Sequence, residues 1–561
     1  MSDGRFRHKW WGWGPVDVLY QMDHRKGFWP FIERVSDLRG RVRVFDAIDR
    51  ASIALPKRNA DSEVERALRA ALRPDQLRTD DDDRIAHAYG RSYRDLVRLR
   101  SGVVDAAPDL VVYPESAADV AAVVAACHEH GAALIPFGGG TNVVGGVEHR
   151  TPAARARITM DLRRMNRVIA VDRASLTAEI EAGAFGPEIE EGLAQHGLAL
   201  GHHPDSFVYS TLGGWIATRS AGSHSNAYGK IEDMLVAVRM ATPTGVLETR
   251  PFPASSHGPD WNRMVLGSEG TLGVITSATV RVHPMPEMEE YRMVLFPSFE
   301  AGFAALHECV GAGRMPSLAR LSDENETELI FAAKPTKEGW KGAVEAGLQR
   351  LIKRKFSAPA ACVLCFEGPK SLTEPLRDDV LAVCRKHGSF DIGQGPGNSW
   401  KRARYDVPFL RDYMMDYGLL ADAFETATVW SRVLPLYREA RAALVEAYAE
   451  QTGRPGYLGC HLSHLYSTGA CLYFTIGVPA RKGATPAEMN EQYAAIKTAA
   501  SEAFHRAGGT LSHHHAVGYE HLPWMAREHS AVALRALAEI KKNVDPNGVM
   551  APGNLGLNLP G

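Results

Sequence analysis

Several groups of residues in this 561-residue sequence have types and spacings that can do chemistry. Gly138, Gly139 and Gly140 run directly into Thr141 and Asn142, with Gly145 and Gly146 close behind. Consecutive glycines leave main-chain N–H groups bare, and several such groups aimed at one point hold a phosphate or pyrophosphate. Without a ligand the same run is a flexible turn. Ser206, Ser210 and Thr211 stand beside Gly213 and Gly214, offering hydroxyls and bare amides together, and Gly267, Gly270 and Gly273 adjoin a β-branched run. Such surfaces suit a flat apolar ring system with polar edges. His513, His514 and His515 are consecutive, and imidazole moves protons near neutral pH. In extended backbone His513 and His515 share one face and His514 opposes them. That arrangement ligates a single metal poorly, so no metal is expected; a surface histidine patch is the other reading. In GACLYF, Leu472 and Phe474 take one face and Tyr473 the other. Its hydroxyl can then serve a site as proton donor or acceptor, or pack into a core.

The elements that must position these residues can be read from periodicity. DLVVYP is a short strand ending at proline. ESAADVAAVVAACHEHG is a helix with Ser116 as N-cap, a buried stripe of Val120, Val123, Val124 and Cys127, and Gly131 at its C-terminal end. ALIPF is the strand that feeds the first glycine loop, and LTAEIEAG alternates as a half-buried strand. DSEVERALRAAL gives a helix near the N-terminus, and HSAVALRALAEIKKNV one near the C-terminus. The run TDDDDR (79–84) is expected to be a solvated loop. No GxGxxG follows a strand here, so the usual dinucleotide fold has no support.

The chain is too long for one hydrophobic core, which predicts two or more lobes. With 64 basic against 66 acidic residues the net charge is -2, which gives no reason to expect nucleic acid as a partner. Seven scattered cysteines indicate thiols in a reducing compartment, and the Cys362–Cys365 pair lies in an apolar, strand-like run. The start of the sequence lacks the apolar segment of a secretory leader, and no stretch is long and apolar enough to span a membrane. A cytoplasmic protein is expected.

PFGGGTN (136–142), PDS…STLGGWIATR (204–219) and GSEGTLGVIT (267–276), in that order, resemble the FAD domain of the p-cresol methylhydroxylase and vanillyl-alcohol oxidase superfamily. The resemblance implies that FAD is held by Pro136, Phe137, Gly138, Gly139, Gly140, Thr141 and Asn142. A second set would be Pro204, Asp205, Ser206, Ser210, Thr211, Gly213, Gly214, Ala217, Thr218, Arg219 and Ser220. A third would be Glu269, Gly270, Thr271, Leu272, Gly273, Val274 and Ile275. No histidine closely precedes the Gly138 loop, so the flavin is expected to be non-covalent.

Within that superfamily the sequence is similar to the alkyldihydroxyacetonephosphate synthases. The likeness runs through KWWGWG (9–14), LARLSDEN (318–325), FLRDY (409–413), FETATVW (424–430), TGACLYF (468–474), LSHHHAVG (511–518) and VDPNG (544–548). It implies exchange of the acyl group of acyl-dihydroxyacetone phosphate for a fatty alcohol, without net redox change. Tyr473, His513, His514, His515, Arg320 and Arg411 would carry it. A planar, permanently charged guanidinium suits a phosphate or a departing carboxylate. The segments AVGYEHLPWM and MAPGNL depart from the family pattern. They leave an FAD-dependent oxidase or dehydrogenase of a hydroxy acid or other alcohol as the alternative. The expected fold is α+β. It comprises a helical N-terminal region (1–104), an FAD-binding domain (105–285), a cap domain (286–510) and a C-terminal segment (511–561) that completes the site. A lipid-like substrate would have to be met at a membrane surface or delivered by a carrier, and the resemblance suggests a homodimer.

Overall fold

The structure is a computed structural model. It describes residues 7–557 apart from 19, 39, 46, 47, 61, 153, 336–338, 340–346, 348, 349 and 353. The first residues of the N-terminus, on which part of the leader argument falls, lie outside the described residues.

Strand Ala133–Phe137 pairs in parallel with Arg157–Asp161, which pairs in parallel with Leu110–Val112. Leu77–Arg78 adds an antiparallel edge. The helix Ala117–Glu129 covers this sheet. Ser116 accepts from the Asp119 N–H at its start, and Val120, Val123, Val124 and Cys127 are buried, as the periodicity predicts. An antiparallel sheet follows, with Thr177–Glu181, Val274–Arg281 and Leu235–Thr242 at its centre. The two sheets share one apolar core, into which Val549 and Met550 of the C-terminal tail also pack.

A second, larger sheet is wholly antiparallel. Its order is Phe390–Gly393, Met288–Phe296, Ala360–Gly368, Leu318–Ser322, Tyr457–Leu465, Gly469–Pro479, Leu419–Val429. Long helices Trp430–Thr452 and Pro486–Arg506 pack on one face and bury Leu436, Tyr493 and Phe504. Cys362 and Cys365, three apart on a strand of period two, face different cores.

The N-terminal region is helical but has no core of its own. Val64 and Leu68 of helix Glu63–Ala71 join the first core. Tyr93 of helix Tyr93–Arg100 stacks on Tyr493 at 4.6 Å in the second. Phe28, Phe31 and Ile32 of helix Phe28–Ser36 form a third cluster with Met414, Leu419 and Tyr457. The N-terminal segments therefore strap the two sheets together.

One local expectation fails. TDDDDR is not a solvated loop: Asp81–Ala86 is a helix, capped by Asp80, whose side chain accepts from the Asp83 N–H. Three acidic residues sit in its first turn, where the helix dipole favours them. Arg50 pairs with Asp82, Arg84 with Asp81, and Asp83 is buried against the Tyr113 hydroxyl at 2.5 Å. Arg50 and Tyr113 lie outside the run, 32 and 30 residues from their partners, so the run alone does not announce them. Among the described residues no helix is long and apolar enough to cross a membrane.

Candidate active site

The glycines of the three motif segments sit where those segments touch one another. A Cβ on Gly139 would lie 1.6 Å from the Tyr209 carbonyl oxygen, and one on Gly138 would lie 2.2 Å from Thr211 Oγ1. The first loop thus packs directly on the second segment. Gly270, at φ +75°, lies against the Pro136 ring, which joins the third segment to the first. Asn142 Oδ1 accepts from the Val144 and Gly146 N–H groups and folds the rest of the loop. The result is a cavity between the two main sheets. Pro136, Phe137, Gly138, Gly139, Gly140, Thr141 and Asn142 line it, as do Pro204, Asp205, Ser206, Ser210, Thr211, Gly213, Gly214, Ala217, Thr218 and Ser220. Glu269, Gly270, Gly273 and Ile275 line it from the third segment.

Four of the residues expected to hold the cofactor do not line the cavity. Arg219 is an exposed helix-end residue at φ 55° that pairs with Glu232. Thr271 donates to the Ser268 carbonyl, and Leu272 and Val274 belong to the core. Glu269 lines the cavity, and its carboxylate accepts from the Val517 and Gly518 N–H groups. Burial raises its pKa, and those two donors oppose the rise. Its role is to fasten the C-terminal segment to the glycine loop.

On the sheet side, three register positions place a row of functional groups. His461, Tyr473 and Glu425 are direct cross-strand neighbours on three adjacent strands, so their side chains share a face. Tyr473 lines the cavity while Leu472 and Phe474 are fully buried, the alternation the sequence predicts. Its ring lies 4.8 Å from that of His461, at 25°, and 5.9 Å from that of His514, at 5°. His515 meets it edge-on at 5.6 Å. Burial pushes the Tyr473 phenol well up, reinforced by Asp205, Asp422 and Glu425 and opposed by Arg320, so it stays protonated and can donate.

The histidine run is not extended. Ser512 to His515 turn around the Glu425 carboxylate, which accepts from the N–H of His513 at 2.6 Å, His514 at 3.1 Å and His515 at 2.9 Å. The Ser512 hydroxyl donates to it as well, at 2.8 Å. The expected alternation of faces is therefore corrected: His514 and His515 both line the cavity and His513 does not. A buried carboxylate within a strand needs donors, and three consecutive amides supply them. Burial by itself would raise the Glu425 pKa. The neighbouring imidazoles and the N–H donors outweigh it and hold the carboxyl well below its usual range. Burial pushes His514 down to about 3, with Glu425 opposing, and lowers His515 in the same way. Both imidazoles are neutral at pH 7. Ligand-type atoms of Glu425, Cys471, His513 and His514 lie within 4.8 Å of one another. The Glu425 oxygens already accept four hydrogen bonds, however, and burial pushes the Cys471 thiol well up, so this set is poorly prepared for a cation.

Arg320 and Arg411 both line the cavity but differ in freedom. Arg320 Nη2 is 2.7 Å from Glu326 Oε1 and 3.2 Å from His461 Nδ1. Arg411 reaches Asp422 only at 3.5 Å, and its Nε and Nη2 are buried with no hydrogen-bond acceptor among the described residues. A guanidinium held this way is prepared for an anion. Phe28, Ile32, Leu329, Met414, Tyr457 and Ile476 give the cavity an apolar wall beside it.

Sequence reasoning missed Glu425, His461, His464 and this apolar wall. Glu425 gave one local signal, a carboxylate placed with Asp422 in the largely apolar first half of the strand LLADAFETATV. His464 gave none. It sits at φ 48° in a bulge between Ser463 and Leu465, and that distortion turns its ring toward the cavity.

An FAD binding domain model matches residues 108–250, and a model for the C-terminal domain of FAD linked oxidases matches 285–555. The alkyldihydroxyacetonephosphate synthase of Dictyostelium discoideum is 40% identical over 503 residues, covering 88% of this chain and 80% of the relative. A solved alkyldihydroxyacetonephosphate synthase structure superposes with TM-score 0.86 at 34% identity, over 97% of this chain and 98% of the other. p-Cresol methylhydroxylase shares the fold at TM-score 0.68 and 16% identity, over 88% and 96% of the two chains. The chain binds FAD and belongs to the alkyldihydroxyacetonephosphate synthase family.

Proposed function

We propose that this enzyme exchanges the acyl group of acyl-dihydroxyacetone phosphate for a fatty alcohol. The observation that carries the reading is one cavity with three unlike walls. The glycine cradle suits a pyrophosphate and a flat ring. The cluster of Tyr473, His514, His515 and Arg411 suits a charged, reacting headgroup. The apolar wall suits a hydrocarbon chain. A small hydroxy acid would leave that last wall without a partner.

FAD would be held by the glycine cradle and would supply a ring system able to accept and return an electron pair, so that no net oxidation results. The chain's own residues do the rest. Arg411 holds the phosphate or the departing carboxylate through the nitrogens that lack a protein acceptor. The neutral Tyr473 phenol donates to oxygen at the reacting carbon. The neutral imidazoles of His514 and His515 accept the alcohol proton. The bare amides of the Gly138 loop hold the cofactor pyrophosphate without a covalent bond, so acid precipitation should release free FAD.

The decisive experiment supplies acyl-dihydroxyacetone phosphate to the purified yellow protein without an electron acceptor. Fatty acid release that depends on added fatty alcohol is expected. Anaerobic bleaching of the flavin by an alcohol or hydroxy acid, with steady turnover on an acceptor, would instead make it a dehydrogenase.

The two arginines should separate in a mutant pair. Arg411→Ala is expected to raise KM for the phosphate substrate roughly 10²-fold, the scale of a lost buried charge pair, with a smaller fall in melting temperature than Arg320→Ala because its pairs with Asp422 and Asp412 are long, at 3.5 and 4.0 Å. Arg320→Ala strands the buried Glu326 carboxylate and should cost about 3 kcal/mol of stability, read as a lower melting temperature. If the two variants behaved alike, the distinction drawn from their partners would be wrong.

A further inference from the structure

His513 is the member of the histidine run that does not face the cavity, yet its ring is tightly held at both nitrogens. Nδ1 lies 2.9 Å from His514 Nδ1, and Nε2 lies 2.5 Å from the Tyr466 hydroxyl. Its main chain is fixed on both sides, the N–H by Glu425 and the carbonyl by the Lys230 ammonium at 2.8 Å. Tyr466 is fixed too: its N–H donates to Gly469 and its carbonyl accepts from Trp430 Nε1. Tyr466 is half-buried, and the next two residues, Ser467 and Thr468, are exposed. Exposed Asp233 and half-buried Glu232 are close enough to act on its phenol electrostatically. A continuous row of proton-exchanging atoms thus runs from the cavity wall at His514, through His513, to the protein's outer layer at Tyr466.

We propose that His514, His513 and Tyr466 form the route by which a proton leaves the cavity in each turnover. The inference rests on the acyl-for-alkoxy exchange described above. That exchange forms a bond between the alcohol oxygen and the substrate carbon and breaks the bond from that carbon to the acyl oxygen. The second bonding pair departs with the carboxylate. The alcohol's proton is left over, because a fatty acid is ionised at neutral pH. One proton per turnover must therefore reach solvent, while hydrocarbon chains fill the cavity and exclude the water that would otherwise carry it. In the relay, His514 Nε2 takes the alcohol proton and its Nδ1–H passes to His513 Nδ1. His513 Nε2–H then passes to the Tyr466 oxygen, and the Tyr466 O–H passes to solvent. Each ring keeps one proton, so no buried imidazolium has to persist; the passage leaves both rings in the other tautomer, and a turn of each ring restores the starting tautomer before the next turnover. Glu425 and Lys230 act as positioning residues, since they fix the backbone on which His513 and His514 stand.

The test is Tyr466→Phe in the FAD-loaded enzyme, which removes one hydroxyl and no volume. FAD content and KM for acyl-dihydroxyacetone phosphate should be unchanged, and kcat should fall roughly 10-fold or more. Raising the concentration of a small buffer such as imidazole, at fixed pH and ionic strength, should restore the rate in the variant and leave wild type unaffected. A kcat within twofold of wild type would overturn the relay, as would a loss that buffer does not rescue. Should Tyr466→Phe lose FAD, the same rescue is read on His513→Ala, where free imidazole can occupy the vacated position; absence of rescue there also overturns it. A wild type that releases no fatty acid removes the reaction and the relay together, whereas an active wild type beside an unimpaired Tyr466→Phe removes the relay alone.

Discussion

Tyr473→Phe is expected to leave the protein folded and yellow and to lower kcat by ~10²–10⁴, the usual range for a general acid–base group. The ring stays, so its packing against His461 and His514 is preserved; only the hydroxyl goes. That hydroxyl belongs to a residue lining the cavity, and burial with nearby carboxylates holds its proton on at neutral pH. It is therefore an acid waiting for a base, and a developing negative oxygen on the substrate is such a base. The substitution should act on kcat with KM nearly unchanged, because a donor used only as charge develops contributes little to ground-state binding. Absorbance at flavin wavelengths, melting temperature and steady-state rates read the three quantities separately. Near-normal turnover would remove Tyr473 from the chemistry and leave it a packing residue.

The parts legible in the sequence are those whose geometry is encoded locally. Gly140 and Gly270 take positive φ, which glycine adopts readily, and the alternation around Tyr473 needs only the period of a strand. Ser116 and the Val120–Cys127 stripe likewise specify their helix without distant help. What stayed hidden depends on register between strands far apart in the chain. Glu425 and His461 flank Tyr473 only because Leu419–Val429, Gly469–Pro479 and Tyr457–Leu465 pair as they do. Once Glu425 stands there, the His513–His515 run must turn around it, so the extended reading of that run fails for a long-range reason. The acidic helix after Thr79 fails the same way, since Asp82 is matched by Arg50 and Asp83 by the Tyr113 hydroxyl, both from other segments. The N-terminal region shows it on a larger scale. Helix Glu63–Ala71 is readable from its period, but not which core it joins.

Gly214→Leu is expected to give a folded, colourless protein whose FAD affinity is lower by roughly 10²-fold or more, the upper end of an overpacking cost of about 1–3 kcal/mol. Gly214 lines the cavity within helix Leu212–Thr218, and a Cβ there meets nothing closer than Thr211 Oγ1 at 3.4 Å. The protein itself therefore has room for a Cβ there, and because Gly214 lines the cavity a longer side chain extends toward the cofactor's space. Replacing glycine within a helix also removes about 0.5–1 kcal/mol of unfolded-state freedom, so the apo melting temperature should hold or rise. Gly139→Leu gives the contrasting case. Its Cβ would fall 1.6 Å from the Tyr209 carbonyl oxygen, so the loop must move before any ligand arrives. That variant should lose both colour and apo stability. Comparing melting curves of the two apo proteins separates a blocked site from a broken loop, and a Gly214→Leu protein that purifies yellow at wild-type FAD content would show that the flavin lies elsewhere.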